Sequence, residues 1–393
     1  MIRAAIWLVV LSACVAAQAQ PAPRVAMTVE LPVADGFMLN PYIDSGWLAV
    51  GPDGVHYVLL PMFKPGSEPL GPARGARLDL VALGPDGSLK RRTTLPARQV
   101  ISTSGFAVNS LGVVVTRSGD LGIFISGEDP DAAQAAPGTE TTSLWRLGPD
   151  LGVKKISRIS PPHGGRSDKG SFYAVSIFLP TSDNAIMLGG GCGIGPVAWW
   201  MGKFSLNGER LWQVGAGSGF PESVAALRQR ADGTWLSLVM EVPRGTERMD
   251  MVIRRHTTDG KSLSHTRLAE IQPPVIAAIL NDGMVIITSG NDPARTSQLH
   301  VVSDSGRLVS RAPWPFAQTF LTIADGDGFA AIVSNASTGE MPKYVVRVDA
   351  RGVVRWRSAA AADAMTIVRT PDGQIAALER IGNGLRLVRY ADP

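Results

Sequence analysis

The chain has 393 residues, is 45% hydrophobic and 18% charged, and carries a formal net charge of +4. Two cysteines exclude a disulfide framework, and a chain this long buries enough apolar surface without one. Lysine and arginine total 38, and they are scattered rather than gathered into a basic block, which excludes the usual nucleic-acid interface.

The first segment reads as a targeting signal. Arg3 gives a positive start, Ala4 to Leu11 an apolar stretch, and Ala17-Gln18-Ala19 a small-x-small cleavage site. The stretch is too short to remain as a membrane span, and no later run of 18 apolar residues follows. The expected product is a soluble periplasmic or secreted chain, with residues 1–19 removed and 20–393 forming one domain. A second reading stays open. Leu11-Ser12-Ala13-Cys14 resembles a bacterial lipoprotein box, in which Cys14 is acylated and the stretch to Arg24 becomes a tether. Only 13 residues precede Cys14, which is short for such a signal, so cleavage after Ala19 is preferred. Membrane contact is expected only if Cys14 is lipidated. After cleavage Cys192 is alone, and it is expected as a small buried residue.

From here one turn keeps returning. Asp-Gly, Asn-Gly or a close variant separates apolar runs at Asp53-Gly54, Asp86-Gly87, Asn207-Gly208, Asp232-Gly233, Asp259-Gly260, Asp282-Gly283, Asp304-Ser305-Gly306, Asp325 to Gly328, Asp349 to Gly352 and Asp372-Gly373. From Asn207 onward the turns fall 21 to 27 residues apart. A fixed period with a hairpin signal marks a repeat architecture built of β-hairpins. Two-residue type I′ turns are expected at the plain Asp-Gly sites, because Asp and Gly tolerate positive φ. Longer loops with Gly in the left-handed position are expected at the Asp-x-Gly forms.

The hairpins alternate between two kinds. Val275 to Leu280 and Met284 to Ile287 are apolar on both sides of their turn, as suits strands buried on both faces. Val345 to Val348 and Val353 to Trp356 alternate and carry Arg and Trp, as suits outer strands. One inner and one outer hairpin make a four-stranded blade of roughly 46 residues. Inner hairpins centre near residues 53, 112, 183, 232, 282, 326 and 372, and outer ones near 86, 150, 207, 259, 304 and 349. In blades two and three the inner turns are placed at Ser110-Leu111-Gly112 and Asp183-Asn184, without a clean Asp-Gly. Leu385 to Tyr390 adds a third strand to the last blade, and Val25 to Leu31 supplies the fourth from the other end of the chain. The expected fold is all-β: a seven-bladed β-propeller of four-stranded antiparallel blades, closed by pairing of the N-terminal strand with the C-terminal blade. Closure of this kind removes exposed sheet edges.

Within each hairpin the tight turns lie on one face of such a ring, and the links between hairpins and blades lie on the other. The links are longest early in the chain. Pro61 to Arg77, Ser126 to Thr142 (with Glu128, Asp129, Asp131 and Glu140), Ser160 to Ser171 (with His163, Arg166, Asp168 and Lys169) and Gly189 to Trp199 exceed those of blades five to seven. Long loops on a rigid scaffold carry recognition, so a binding surface is expected over blades one to three. Neutral drift in permissive loops explains the same lengths.

The chemical motifs are weak. Gly189 to Gly195 lacks the Lys-Ser/Thr and helix of a phosphate loop, and it is expected as a glycine-lined turn near the axis. Asp325-Gly-Asp-Gly328 begins like a calcium loop but lacks the later ligands and sits on the repeat's own turn position. Glu128, Asp129 and Asp131 are expected as a solvated loop rather than a calcium site. The histidines at 56, 163, 256, 265 and 300 show no metal-ligand spacing, and no Gly-x-Ser-x-Gly elbow exists. His163 with Asp168 has the chemistry of an acid or base, though an exposed loop His without a role is the plainer reading. Adjacent strand residues point to opposite faces, so the recognition reading of Trp199 and Trp200 puts one between blades and the other in a groove; burial of both is the plainer reading. The arginines from Arg347 to Arg389 are expected as solvated positions on outer strands, with an anionic glycan or lipid as the other reading.

Phe204-Ser-Leu-Asn-Gly-Glu-Arg-Leu-Trp212 and Val348-Asp-Ala-Arg-Gly-Val-Val-Arg-Trp356 share an apolar, Asp/Asn-Gly, apolar, Trp pattern. In this the outer hairpins resemble repeats of the pyrroloquinoline-quinone-type propeller superfamily. The superfamily holds quinoprotein dehydrogenases and non-enzymatic exported scaffolds, such as the outer-membrane assembly lipoprotein propeller. The chain departs from the dehydrogenases in lacking their adjacent Cys pair, and from both groups in having seven blades rather than eight. The resemblance therefore implies a non-catalytic module without cofactor or metal. The expected function is a monomeric envelope module that binds or scaffolds a protein or glycan. The rival is a quinone-dependent or carbohydrate-active enzyme with its site at the axis.

Overall fold

The computed structural model describes residues 21–39, 46–64, 77–96, 108–128, 140–159, 173–192, 198–216, 223–243, 246, 248–288, 297–335, 342–358 and 364–393. They form 29 strands and no helix. The chain enters on β1 (Arg24–Leu31). Blade one follows as β2 (Met38–Leu39), β3 (Leu48–Val50), β4 (His56–Phe63), β5 (Arg77–Leu83) and β6 (Leu89–Leu95). Blade two is β7 (Val108–Val115), β8 (Leu121–Glu128), β9 (Glu140–Leu147) and β10 (Val153–Ile159). Blade three is β11 (Tyr173–Pro180), β12 (Ile186–Cys192), β13 (Ala198–Phe204) and β14 (Arg210–Ala216). Blade four is β15 (Ser223–Gln229), β16 (Trp235–Glu241), β17 (Asp250–His256) and β18 (Ser262–Leu268). Blade five is β19 (Val275–Ile279), β20 (Gly283–Thr288), β21 (Gln298–Ser303) and β22 (Leu308–Pro313). Blade six is β23 (Gln318–Asp325), β24 (Gly328–Ser334), β25 (Lys343–Val348) and β26 (Val354–Arg357). Blade seven is β27 (Ala364–Arg369), β28 (Ile375–Ile381) and β29 (Gly384–Ala391), completed by β1.

The seven sheets form a ring. The first full strand of each blade touches that of the next, from β3 through β7, β11, β15, β19, β23 and β27 back to β3. These strands surround the axis. Closure is as expected: β1 runs antiparallel to β29, from Arg24 opposite Ala391 to Leu31 opposite Leu385. Met27 and Leu31 of β1 are buried. Asn383 adds a second tie, donating from Nδ2 to the Phe37 carbonyl at 2.9 Å.

The turns differ from the expected type. Most are three-residue loops in which only the last residue is left-handed: Gly54 has φ +79° and Gly260 +83°, whereas the preceding Asp residues stay at negative φ. In the first, Gly54 N–H donates to the Gly51 carbonyl and Gly51 N–H to the Val55 carbonyl. This is a type I turn with a bulge, which needs one left-handed residue where type I′ needs two. Asp serves through its side chain instead. Asp86 accepts from the Ser88 amide at 3.0 Å and its hydroxyl at 2.7 Å, and Asp232 accepts likewise from Thr234. In blades two and three the left-handed place passes to Leu151 and Asn184.

The inner turn of blade two also needs correcting. It spans Thr116 to Asp120, with Gly119 at φ +86°, while Ser110 to Gly112 lie inside β7. Gly112 answers to packing: a Cβ there would meet Phe124 at 2.2 Å and Phe178 at 2.8 Å.

Turn glycines also seat one blade on another. A Cβ at Gly260 of blade four would fall 2.6 Å from Trp212 of blade three, whose indole N–H donates to the Thr258 carbonyl at 2.8 Å. So the Trp of the repeated outer-hairpin pattern docks the next blade. Gly260→Ala therefore faces both left-handed backbone strain, about 1–2 kcal/mol, and a collision. Gly119→Ala has the same φ but open space around it, so it isolates the backbone cost. Thermal melting is expected to rank Gly260→Ala clearly below Gly119→Ala; equal losses would remove the blade-to-blade contact from the explanation.

Candidate functional site

The expected site residues divide sharply. His163, Arg166, Asp168, Lys169, Asp129, Asp131 and Cys14 lie outside the described residues, as does the side chain of Glu128. Trp199 and Trp200 are described, and both are closed off from solvent at 2% and 0% exposure. They point to opposite faces of β13, as strand geometry demands. Trp200 packs with Val114, Phe124 and Leu144 of blade two, and Trp199 with Leu227, Trp235 and Val239 of blade four. The Arg254 guanidinium lies 4.9 Å from the Trp199 ring centroid. Neither indole reaches a groove, so the reading in which one of them touches a ligand is corrected: each is an inter-blade wedge.

Other motifs of the sequence have structural roles. Gly189 to Gly191 run inside β12, paired on both sides, rather than in a turn. The Asp325 carboxylate is buried and holds Arg347 and Arg369 by ion pairs. His56, His256 and His300 are buried on strands. Burial, then the nearby Arg254 charge, pushes the His256 pKa down to about 4, so it is neutral at pH 7. Of the late arginines, Arg351 and Arg355 are exposed, Arg355 on outer strand β26, while others are held by acids or across the closing joint. Arg347, Arg369 and Arg386 pair with Asp325 and Glu379, and Arg389 donates to the Pro85 carbonyl across the closing joint at 2.9 Å.

The buried acids repeat this logic on the side of the connections. Asp79 of β5 is fully buried and accepts from Arg77 at 2.8 Å, Arg92 at 2.7 Å and Thr94 at 2.9 Å. Burial alone would raise its pKa, but the bonds from Arg77, Arg92 and Thr94 together outweigh it and hold the carboxyl below its usual range. A depressed folded pKa gives stability that is fully present above the unfolded carboxylate range and is lost as pH falls through the folded value. Asp79→Asn is expected to cost about 2–3 kcal/mol at pH 7 from its charge-assisted bonds. Melting curves of variant and parent should converge as pH drops from 6 towards 3; a constant gap would place the loss elsewhere.

What sequence reasoning missed lies on the inner ring. Five inner strands carry a bulge near their start, the end from which the connections between hairpins and blades leave. The register shifts across Asn109, Ser176, Ala225, Phe320 and Met365 in β7, β11, β15, β23 and β27. A bulge inserts one extra residue and re-aims its side chain. Ala225 and Met365 are half-buried, whereas Phe320 is 43% exposed. The Lys343 ammonium lies 4.9 Å from the Phe320 ring centroid. Thr319, beside the bulge, is fixed by a 2.9 Å bond from the Trp314 indole. Of the bulge residues whose side chains are described, Phe320 is the exposed one on the connection side of the ring. Among the described residues no group of three His, Cys, Asp or Glu is arranged to hold a metal ion.

No family model matches the chain, and no curated protein matches it in sequence. Its fold is similar to that of the polysaccharide lyase Uly1, at 10% identity and TM-score 0.53, covering 92% of this chain and 99% of that one. The WD40 β-propeller domain of Doa1 aligns at 13% identity and TM-score 0.49, covering 92% and 97%. The β-propeller domain of the Trilobed protease from Pyrococcus furiosus aligns at 12% and 0.48, covering 88% and 92%. At these identities the likeness speaks for the fold alone.

Proposed function

We propose that this chain is an exported envelope propeller that binds or scaffolds a protein or glycan partner through its connection face. In this reading it is a monomeric, non-catalytic relative of the pyrroloquinoline-quinone-type repeats, freed by cleavage after Ala19. The observation that carries it is the polarity of the ring. Tight hairpin turns occupy one face, while the bulges of the inner strands, exposed Phe320 and the strand ends that lead into the long connections of blades one to three belong to the other. Bulges and long loops on a rigid frame are where proteins place recognition.

A photo-crosslinking residue at position 320, and separately at Asp86 on the tight-turn face, tests this in the producing cell. Adducts are expected from position 320 and not from 86. Equal labelling at both, or none at 320, would overturn the choice of face. Phe320→Ala is expected to leave the melting temperature within about 2 °C, because an exposed side chain contributes little to stability, while reducing the adducts formed from a second crosslinker at Thr319. A large fall in melting temperature would make Phe320 structural.

A further inference from the structure

The cations of the outer wall gather where no single stretch of sequence shows them. Each blade ends on an outer strand, and six of these strands, β6, β10, β14, β18, β22 and β26, carry no acid. A lysine or arginine on an edge strand guards it against pairing with another chain. One or two serve that purpose on each outer strand of blades three to seven. Blades one and two exceed it. β6 carries Lys90, Arg91 and Arg92, and β10 carries Lys154, Lys155 and Arg158.

Arg92 is taken up by buried Asp79 at 2.7 Å and by the Pro32 carbonyl at 3.2 Å. The other five are exposed. They cluster across the joint between the two blades. The Arg91 guanidinium reaches from blade one to the Asp150 carbonyl of blade two at 3.0 Å, and the Lys154 ammonium meets the Asp150 carboxylate at 3.2 Å. The turns that open β6 and β10 supply two carboxylates, Asp86 and Asp150, against the five cations. Two apolar side chains stand in the same stretch of wall, Leu89 at 64% exposure and Ile156 at 41%. Leu211, Leu263 and Val309 are also exposed, on the outer strands of blades three to five, but each of those strands has a single arginine and no lysine.

We propose that the outer wall of blades one and two docks on an anionic phospholipid bilayer. Surfaces that sit on such a bilayer combine basic residues, drawn to the headgroup phosphates, with apolar residues that enter the boundary with the acyl chains. An anionic glycan would satisfy the cations but would give Leu89 and Ile156 no apolar partner. Five cations and two apolar side chains make a reversible contact rather than an anchor, and the contact needs no acyl chain on Cys14. The wall is separate from the connection face, so the docking stands whether or not that face binds a partner.

Co-sedimentation of the chain from Gln20 onward with lipid vesicles tests it, since this form lacks both Cys14 and the apolar stretch from Ala4 to Leu11. Binding is expected to vesicles of phosphatidylglycerol and phosphatidylcholine in equal parts, not to phosphatidylcholine alone, and it should weaken as salt rises. Each cation near an anionic bilayer contributes about fivefold in affinity, so Lys90→Gln with Lys155→Gln should weaken binding about tenfold or more. Lys261→Gln with Arg311→Gln, on blades four and five, removes the same charge and should leave binding within about twofold, because screening confines the effect to the docked wall. Leu89→Ser with Ile156→Ser should weaken vesicle binding about tenfold and leave binding to dextran sulfate, a polyanion without acyl chains, unchanged. The four wall side chains changed are all exposed, so these variants are expected to fold. No binding to the mixed vesicles, or equal losses from the two charge pairs, would overturn the docking. Binding to dextran sulfate without binding to the mixed vesicles would overturn it in favour of an anionic polymer.

Discussion

Removing residues 20–32 lowers the melting temperature by about 10 °C or more and leaves a protein prone to aggregate. The deletion strips β1 from β29 along a register that runs from Arg24 to Leu31. It exposes the faces that Met27 and Leu31 cover, each worth about 1.5–3 kcal/mol of burial. Backbone bonds along the pairing add about 0.5–1.5 kcal/mol each. The sum rivals the whole net stability of a typical folded protein, about 5–15 kcal/mol. A shift of 1 kcal/mol moves the midpoint by about 2–4 °C in proteins of middling size, and less in larger ones. The deletion also bares the edge of β29 for pairing with another chain. Differential scanning calorimetry and light scattering check both parts. An unchanged melting curve would mean that the ring does not depend on this strand.

Trp200→Ala is the second large effect. The side chain is fully buried between blades two and three, so truncation opens a cavity and is expected to cost about 3–5 kcal/mol. Trp200→Phe should cost far less. It keeps most of the packing and removes an indole N–H that is buried without a hydrogen-bond partner among the described residues. Chemical denaturation of the two variants checks the ranking. If alanine were tolerated as well as phenylalanine, the wedge role would be wrong, and a surface role for Trp200 would return.

These two results bear on what was legible in the chain. Turns were legible because their chemistry is local: an Asp carboxylate bonding the amide two residues on, followed by a Gly at positive φ, is written in adjacent letters. Closure was legible by counting, since Leu385 to Tyr390 lacked an outer partner and Val25 to Leu31 was a strand to spare. The turn expected at Gly112 failed because glycine has two uses. There it makes room for Phe124 and Phe178, a need set by a neighbouring blade. Trp199 and Trp200 gave their alternation from the sequence, but not what lay on each side, which depends on blades two and four.

The site was less legible for the same physical reason. A bulge at Phe320 arises from the way β23 pairs with β24, and Gln318 to Asp325 reads without it as an ordinary strand. Arg347 and Arg386 read from the sequence as solvent-facing positions because their acids, Asp325 and Glu379, lie in other strands.

That this propeller binds rather than catalyses is tested most directly by its mass. The protein is purified from its own host and weighed first native, then denatured. The expected native mass exceeds the polypeptide by no organic group or metal, with a start at Gln20 in the denatured spectrum. Loss of an organic cofactor or metal on denaturation would contradict the binding reading and make the channel an active site, and an acylated Cys14 would replace the free form with a tethered one.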